Sequence, residues 1–340
     1  MSEPLFVSSS DLADLAEYEE FVAAARDGYR QRGEGAGASA PTTIPIAGHD
    51  DGFKSYLNSY MSHLPETGVA GTYQFSVVAD GRWYMATLFD STTGEPLAIL
   101  DGGSWMSTKT GAVAAVGADA LARADATSVG IIGSGRVARE SLRSLVTVRD
   151  IQTVSVFSPT KQSREAFAAN MDGELSVDVD SVDSSTAALS GADIVVTATT
   201  APEPVLDGDD LEPGTHVCAM GQSGRERELD HTTVENAKYV PDVQQRALAS
   251  SPHEHLKAAG AFQSALDAGK IPDNHVYAEL GDVVAGRVPG RDSSEELTVF
   301  DSTGTGIETV ATGYMLYEKA LEKGRGSRIT LSSLDEAFSE

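Results

Sequence analysis

Apolar residues recur at spacings of three and four over residues 8 to 29, where Leu12, Leu15, Tyr18, Val22, Ala25 and Tyr29 face one way against a charged side. That period predicts one amphipathic helix. Gly33, Gly35 and Gly37 end it, and residues 33 to 43 read as a loop. From Gly71 to Phe89 the period drops to two. Tyr73, Phe75 and Val77 precede a turn at Asp80-Gly81, and Trp83, Met85, Thr87 and Phe89 follow it, the pattern of a hairpin. Leu97 to Leu100 reads as a short strand, and Thr108 to Ala122 as a helix whose Ala and Gly residues let another backbone come close.

Val129, Ile131 and Ile132 then form a short apolar run, as central parallel strands do. Gly133, Gly135 and Ala138 follow as G-x-G-x-x-A and lead into a helix with Val137, Leu142 and Leu145 on its inner side. In this order Gly133 allows the tight turn, Gly135 lets the backbone approach a pyrophosphate, and Ala138 lets helix and strand pack closely. The alternative is a Gly-rich turn kept for packing alone. Thr153 to Phe157, Ala192 to Ala198, His216 to Met220 and Lys238 to Pro241 read as further strands, with a helix over Gln162 to Met171. Strands alternating with helices predict a doubly wound parallel sheet. From Val299 the chain leaves that sheet, and a helix from about Ile307 to Lys323 has no later strand to cross to, so it is expected to return to the N-terminal domain. The expected division is residues 1–120 plus 308–340 as one domain and 121–307 as the nucleotide-binding one.

Composition narrows the partners. The 340 residues carry 51 Asp plus Glu against 25 Lys plus Arg, a net charge of -26, which argues against nucleic acid and anionic membranes. The acidity is spread along the chain and points to adaptation to high salt, where such repulsion is screened. The single cysteine, Cys218, excludes an internal disulfide, fits a reducing cytoplasm and reads as inert core. With no long apolar run and no secretion-type N-terminus, a soluble cytoplasmic protein is expected. His253 and His255 stand two apart, on different faces of any helix, and no other histidine or cysteine spacing suggests a metal site. There is no Tyr-x-x-x-Lys dyad of the short-chain dehydrogenase type.

Several blocks in one order carry a family resemblance: Gly94-Glu95-Pro96-Leu97-Ala98, Leu121-Ala122-Arg123-Ala124-Asp125-Ala126 before the fingerprint, Ala192-Asp193-Ile194-Val195-Val196-Thr197-Ala198-Thr199, Glu228-Leu229-Asp230, Ala278-Glu279-Leu280-Gly281-Asp282 and Phe300-Asp301-Ser302-Thr303-Gly304. Over roughly residues 60 to 325 the chain resembles the ornithine cyclodeaminase/mu-crystallin family. The resemblance implies an α/β fold: a Rossmann doubly wound parallel sheet plus a discontinuous α+β N-terminal/C-terminal domain through which homodimers form. It also implies NAD or NADP as cofactor. The candidate contacts are Gly133, Ser134, Gly135, Arg136 and Val137 in the fingerprint, Thr197, Ala198 and Thr199 after one strand, Gly221 after the next, and Ser302. At the end of the second strand Ser158, Thr160 and Lys161 stand where an NAD-preferring domain places a carboxylate, which leans towards a 2′-phosphate. The alternative is that Lys161 merely starts the next helix at the surface.

The family's active-site positions are altered. Its lysine after an Ala-Gly-x motif is Tyr73, its Arg-Thr-Gly-Ala block is Lys109-Thr110-Gly111-Ala112, its acid after a glycine is Gln222, and its aspartate after Ile-Glu is Thr309. Lys109 is the candidate grip on a substrate carboxylate, without arginine's bidentate fork; its alternative is a solvated lysine. Tyr73 either touches substrate or belongs to the core. Gln222 lies beside the expected site and has no titratable group. Three activities follow: reduction of an imino acid or oxidation of an amino acid with net use of NAD(P)(H), redox-neutral ornithine cyclodeamination as a lyase, and nucleotide binding with little catalysis. Hydride transfer needs the least machinery, a positioned cofactor, a carboxylate grip and a proton donor, and is the expected chemistry at the α-carbon.

Overall fold

The structure, a computed structural model, describes residues 2–39, 41–48, 54–78, 80–201, 203–221, 228–244 and 261–337. The chain forms two compact units, Met1–Lys109 with Thr305–Glu340, and Thr110–Gly304.

The first unit is built on an eight-stranded sheet. Its strands are β1 (Leu5–Val7), β2 (Gly37–Ala38), β3 (Thr42–Gly48), β4 (Lys54–Leu64), β5 (Val69–Val78), β6 (Gly81–Asp90), β7 (Pro96–Asp101) and, near the C-terminus, β15 (Ser327–Arg328). Their order is β15-β1-β7-β6-β5-β4-β2, with β3 also paired to β4. The hairpin of β5 and β6 sets Tyr73 opposite Ala86, Phe75 opposite Tyr84 and Ser76 opposite Trp83. Since side chains alternate across a strand, Tyr73, Ala86 and Leu88 share the buried face with Tyr60 and Leu100. The helix Ile307–Glu322 lies along this sheet and against the helix Tyr18–Gly33. Trp83 (74% exposed), Met85, Leu57 and Met61 project from the other face.

Several expectations for this unit are corrected. The single helix over 8 to 29 is two, Ser9–Leu12 and Tyr18–Gly33. Ser8 and Asp11 cap each other at the first, Asp14 takes a left-handed φ of 52°, and Glu17 with Glu20 starts the second. Two capping boxes so close in sequence favour two starts over one continuous helix. The loop over 33 to 43 contains β2 and the start of β3, which pair with β4. In the hairpin, which the sequence places correctly, Trp83 stands opposite Ser76 and so points away from Tyr73 and Phe75. After the C-terminal helix a strand does follow, since β15 pairs antiparallel with β1.

The second unit holds a seven-stranded, wholly parallel sheet of β8 (Ser128–Ile132), β9 (Thr153–Phe157), β10 (Asp178–Ser181), β11 (Ile194–Thr197), β12 (His216–Ala219), β13 (Lys238–Pro241) and β14 (Thr298–Asp301). Its order is β10-β9-β8-β11-β12-β14-β13. β8, β11, β12 and β14 are buried nearly throughout, which is why they read as continuous apolar runs. β14 corrects the expectation that the chain leaves the sheet from Val299, because all four residues to Asp301 are ladder-bonded between β12 and β13. β10, Asp-Val-Asp-Ser, gives little sequence signal because it is an edge strand burying only Val179. In the helix Met106–Leu121, a Cβ on Gly111 would lie 2.4 Å from the Glu140 carbonyl, so a bare backbone there is what lets another helix approach.

Candidate functional site

The chain runs from β8 to β9 and β10 on one side and continues with β11 on the other, so the strand order reverses between β8 and β11. In such sheets ligands bind outside the carboxyl ends of the strands at that reversal. The fingerprint lies there. Gly133 has φ +115°, and a Cβ on it would come within 2.3 Å of the Ala198 carbonyl oxygen, so both its turn and its contact demand glycine. Its N–H donates to the Phe157 carbonyl at 2.8 Å.

Gly135 is the N-cap of the helix Arg136–Leu145, and among the described residues no side chain caps that helix. A Cβ on Gly135 would meet nothing within 4 Å, so it would project into open space before the helix N-terminus. Backbone N–H groups and the helix dipole there favour an anion. The residues present therefore fit a dinucleotide pyrophosphate. Gly135 and Arg136 are exposed, Ser134 and Val137 half-buried, and Ala138 is buried against the sheet.

Around the end of β9 the hydroxyls of Ser134 and Ser158 meet at 3.0 Å. Thr160 is the N-cap of the helix Lys161–Glu174, and Lys161 is exposed, 3.7 Å from Glu165. The buried cation at this strand end is instead Arg164, which donates to the Ser158 carbonyl at 3.1 Å and to Asp183. Arg164 stands outside the Ser158, Thr160 and Lys161 set that the sequence singles out. Its signal was its place one turn along the helix that Lys161 begins.

Beyond β11 and β12, Thr197, Thr199 and Gly221 converge on a residue that the sequence reading took only as part of a family block, Glu228. Its Oε2 accepts from the Thr197 hydroxyl and from the Gly221 N–H, each at 2.7 Å, and its Oε1 accepts from the Thr199 N–H. Burial pushes its carboxyl above the ordinary range against the pull of those hydrogen bonds. Ala198 donates its N–H to the Ile132 carbonyl, and Ser302 its N–H to the Ala219 carbonyl, both in register with the sheet. Gln222 lies outside the described residues, as do His253 and His255.

The remaining candidates belong to the first unit. Lys109 is only 5% exposed, which rules out the solvated reading. Its Nζ donates to Glu308 Oε1 and to the Thr309 hydroxyl, both at 3.1 Å, and sits 4.9 Å from the centre of the Tyr73 ring. Glu308 Oε1 also accepts from the Thr305 N–H, while Oε2 is buried with no hydrogen-bond partner among the described residues. Tyr73 is buried and stacked with Tyr60 and Tyr84 at 6.2 and 6.1 Å between ring centres. Burial, with Tyr84, Tyr60 and Glu308 nearby, raises its phenol above the ordinary tyrosine range. Tyr73 is thus both a core aromatic and a neighbour of the lysine. Glu308 carried no sequence signal beyond the Ile-Glu dipeptide.

Cys218 and His216 are buried in β12, 3.1 Å apart. Burial raises the thiol and takes the imidazole down to about 3. Among the described residues no group of three or more His, Cys, Asp or Glu is placed to hold a metal, and no helix is long and apolar enough to cross a membrane.

A Δ1-pyrroline-2-carboxylate reductase of Bacillus cereus is 34% identical over 243 residues, 71% of this chain and 72% of that protein. An alanine dehydrogenase of Archaeoglobus fulgidus is 35% identical over 239 residues, 70% of each chain. Among solved structures, the Thermococcus litoralis Δ1-pyrroline-2-carboxylate reductase in complex with NADH and L-proline has a TM-score of 0.85 at 30% identity, covering 96% of this chain and 100% of that one. Residues 76–324 match the profile of the ornithine cyclodeaminase/mu-crystallin family, and the chain belongs to that family.

Proposed function

We propose that the chain is a reductase that uses NAD(P)H to add hydride to the α-carbon of an imino acid, leaving an amino acid. When bound, the nicotinamide supplies the hydride. Gly133, Gly135 and the N-terminus of the helix Arg136–Leu145 hold the pyrophosphate, and Lys109 holds the substrate carboxylate. The nitrogen gains its proton from Lys109 or a water.

The observation that carries this reading is the chemistry around Lys109. Redox-neutral cyclisation of ornithine needs groups that shuttle protons while an internal amine attacks and ammonia departs. Tyr73 and Thr309 stand where the family has a lysine and an aspartate, and burial raises the Tyr73 phenol, which keeps it protonated. Gln222 replaces the family's other acid. Hydride addition asks less of the protein: a cation for the carboxylate and an oriented cofactor. Relatives named for reduction of a cyclic imine and for dehydrogenation of alanine support the same class.

The Lys109–Glu308 pair favours one second reading, nucleotide binding with little catalysis, because an ammonium already matched by a carboxylate attracts another less strongly. NAD(P)H oxidation at high salt, measured over cyclic imine carboxylates and over keto acids with ammonia, separates the two. The reductase reading expects turnover on at least one of these classes. Tight nucleotide binding with no oxidation on any of them supports the second reading.

A further inference from the structure

We propose that Glu228 is a positioning residue that fixes the nicotinamide half of the nucleotide site. This rests on the reading of the Thr110–Gly304 unit as the dinucleotide-binding one. A dinucleotide lying across the reversal between β8 and β11 places one half over β8 and β9 and the other over β11 and β12. The fingerprint and the end of β9 serve the adenosine half. The other half rests on the backbone just after β11 and β12, at Thr199 and Gly221, and Glu228 ties these two points together.

The tie is built from three donors and one carboxylate. Glu228 is 0% exposed, and it takes the hydroxyl of Thr197 at the end of β11, the Thr199 N–H just after that strand and the Gly221 N–H just after β12. Its own carbonyl accepts from the Val205 N–H at 3.0 Å, fixing the segment that carries it. There is no slack around the carboxylate. A Cβ on Gly221 would lie 2.6 Å from both Glu228 Oε1 and the Thr199 carbonyl oxygen.

A carboxylate suits this place because both its oxygens accept and neither needs to donate. Glutamine has the same shape and fails on one side. With its oxygen towards Thr197 and Gly221, its NH2 faces the Thr199 N–H, donor against donor. Flipped, its NH2 faces the Gly221 N–H, donor against donor, while the Thr197 hydroxyl can turn to accept. Either way one of the two points is released while the sheet beneath keeps its ladder hydrogen bonds.

The test compares Glu228→Gln and the milder Thr197→Val with the parent, by titration with NADH, NADPH and ADP-ribose alongside thermal melting. ADP-ribose carries the pyrophosphate and the adenosine half without the nicotinamide. The expected result is a folded Glu228→Gln protein that binds ADP-ribose within about twofold of the parent and the better of NADH and NADPH at least about tenfold more weakly. Thr197→Val should change in the same direction by less, and it decides the matter if Glu228→Gln does not fold. Equal weakening for ADP-ribose and the dinucleotides, or no weakening at all, would overturn the proposal. A parent that binds none of the three ligands would instead sink the dinucleotide reading on which it stands.

Discussion

Lys109 and Glu308, 199 residues apart in sequence, form a buried ion pair with Nζ 3.1 Å from Oε1. Each lies near the start of a helix, Lys109 as the fourth residue of Met106–Leu121 and Glu308 as the second of Ile307–Glu322. A helix start favours the glutamate and disfavours the lysine, so the lysine depends on its partner.

Removing either charge alone should cost about 3–5 kcal/mol of stability, because it strands the other in the interior. Glu308→Gln and Lys109→Met, followed by denaturant unfolding, measure this. The double variant should recover most of the stability, since replacing a whole buried pair is often neutral. If Lys109 grips the substrate carboxylate, kcat/KM should stay depressed by about 2–4 kcal/mol in the double variant. A double variant with parental kcat/KM would remove Lys109 from the site.

The outer face of the first unit's sheet should bury itself in a homodimer. Leu57, Met61, Trp83 and Met85 are exposed together on it, and a cavity of about 360 Å³ there is lined by Phe6, Leu57, Trp83, Met85 and Ile99 among others. Monomers rarely leave such a face open to water. Light scattering should give a dimer for the parent and a shift towards monomer for Trp83→Asp, with folding retained. A monomeric parent at the same concentration would contradict this.

Stability should depend on salt. With a net charge of -26, self-repulsion grows as screening is withdrawn. The melting temperature is expected to fall steadily below about 0.5 M salt. A flat profile down to dilute buffer would mean that the surplus carboxylates are tolerated without added ions.

The acid limb of stability should carry the mark of His216. Its imidazole is depressed to about 3 by burial, whereas in the unfolded chain it titrates near 6.5. Between those values the unfolded state binds the extra proton, so stability falls as pH drops below about 6.5, by up to about 1.4 kcal/mol per pH unit. His216→Gln, less stable at neutral pH, should lose less on going from pH 6.5 to 5 than the parent does. Parallel losses in the two proteins would show that His216 is not a source of that slope.

What the sequence makes legible is what is decided locally. Gly133, Gly135 and Ala138 act within one strand, turn and helix, and the buried parallel strands are apolar for several residues running. β4 is hidden because its alternation is blurred: Asn58 and Ser62 face inward beside Tyr60 and Leu64, while Leu57 and Met61 face water. Its inward polar groups find distant partners, as when Ser62 donates to the Gly306 carbonyl. Glu308 and Glu228 are illegible for the same reason, since each is defined by donors that the fold brings to it. The fate of Trp83 turned on register, because alternation identifies two faces without saying which one is covered.

Isotope transfer from the nucleotide separates hydride addition from redox-neutral cyclisation. The protein is given NAD(P)H deuterated at its transferable position and the best imino acid from the substrate survey. One NAD(P)H should be oxidised per amino acid formed, with the deuterium bonded to the product's α-carbon. Conversion of ornithine to proline and ammonia with no net oxidation of nucleotide, or an amino acid product without deuterium at that carbon, would contradict hydride addition.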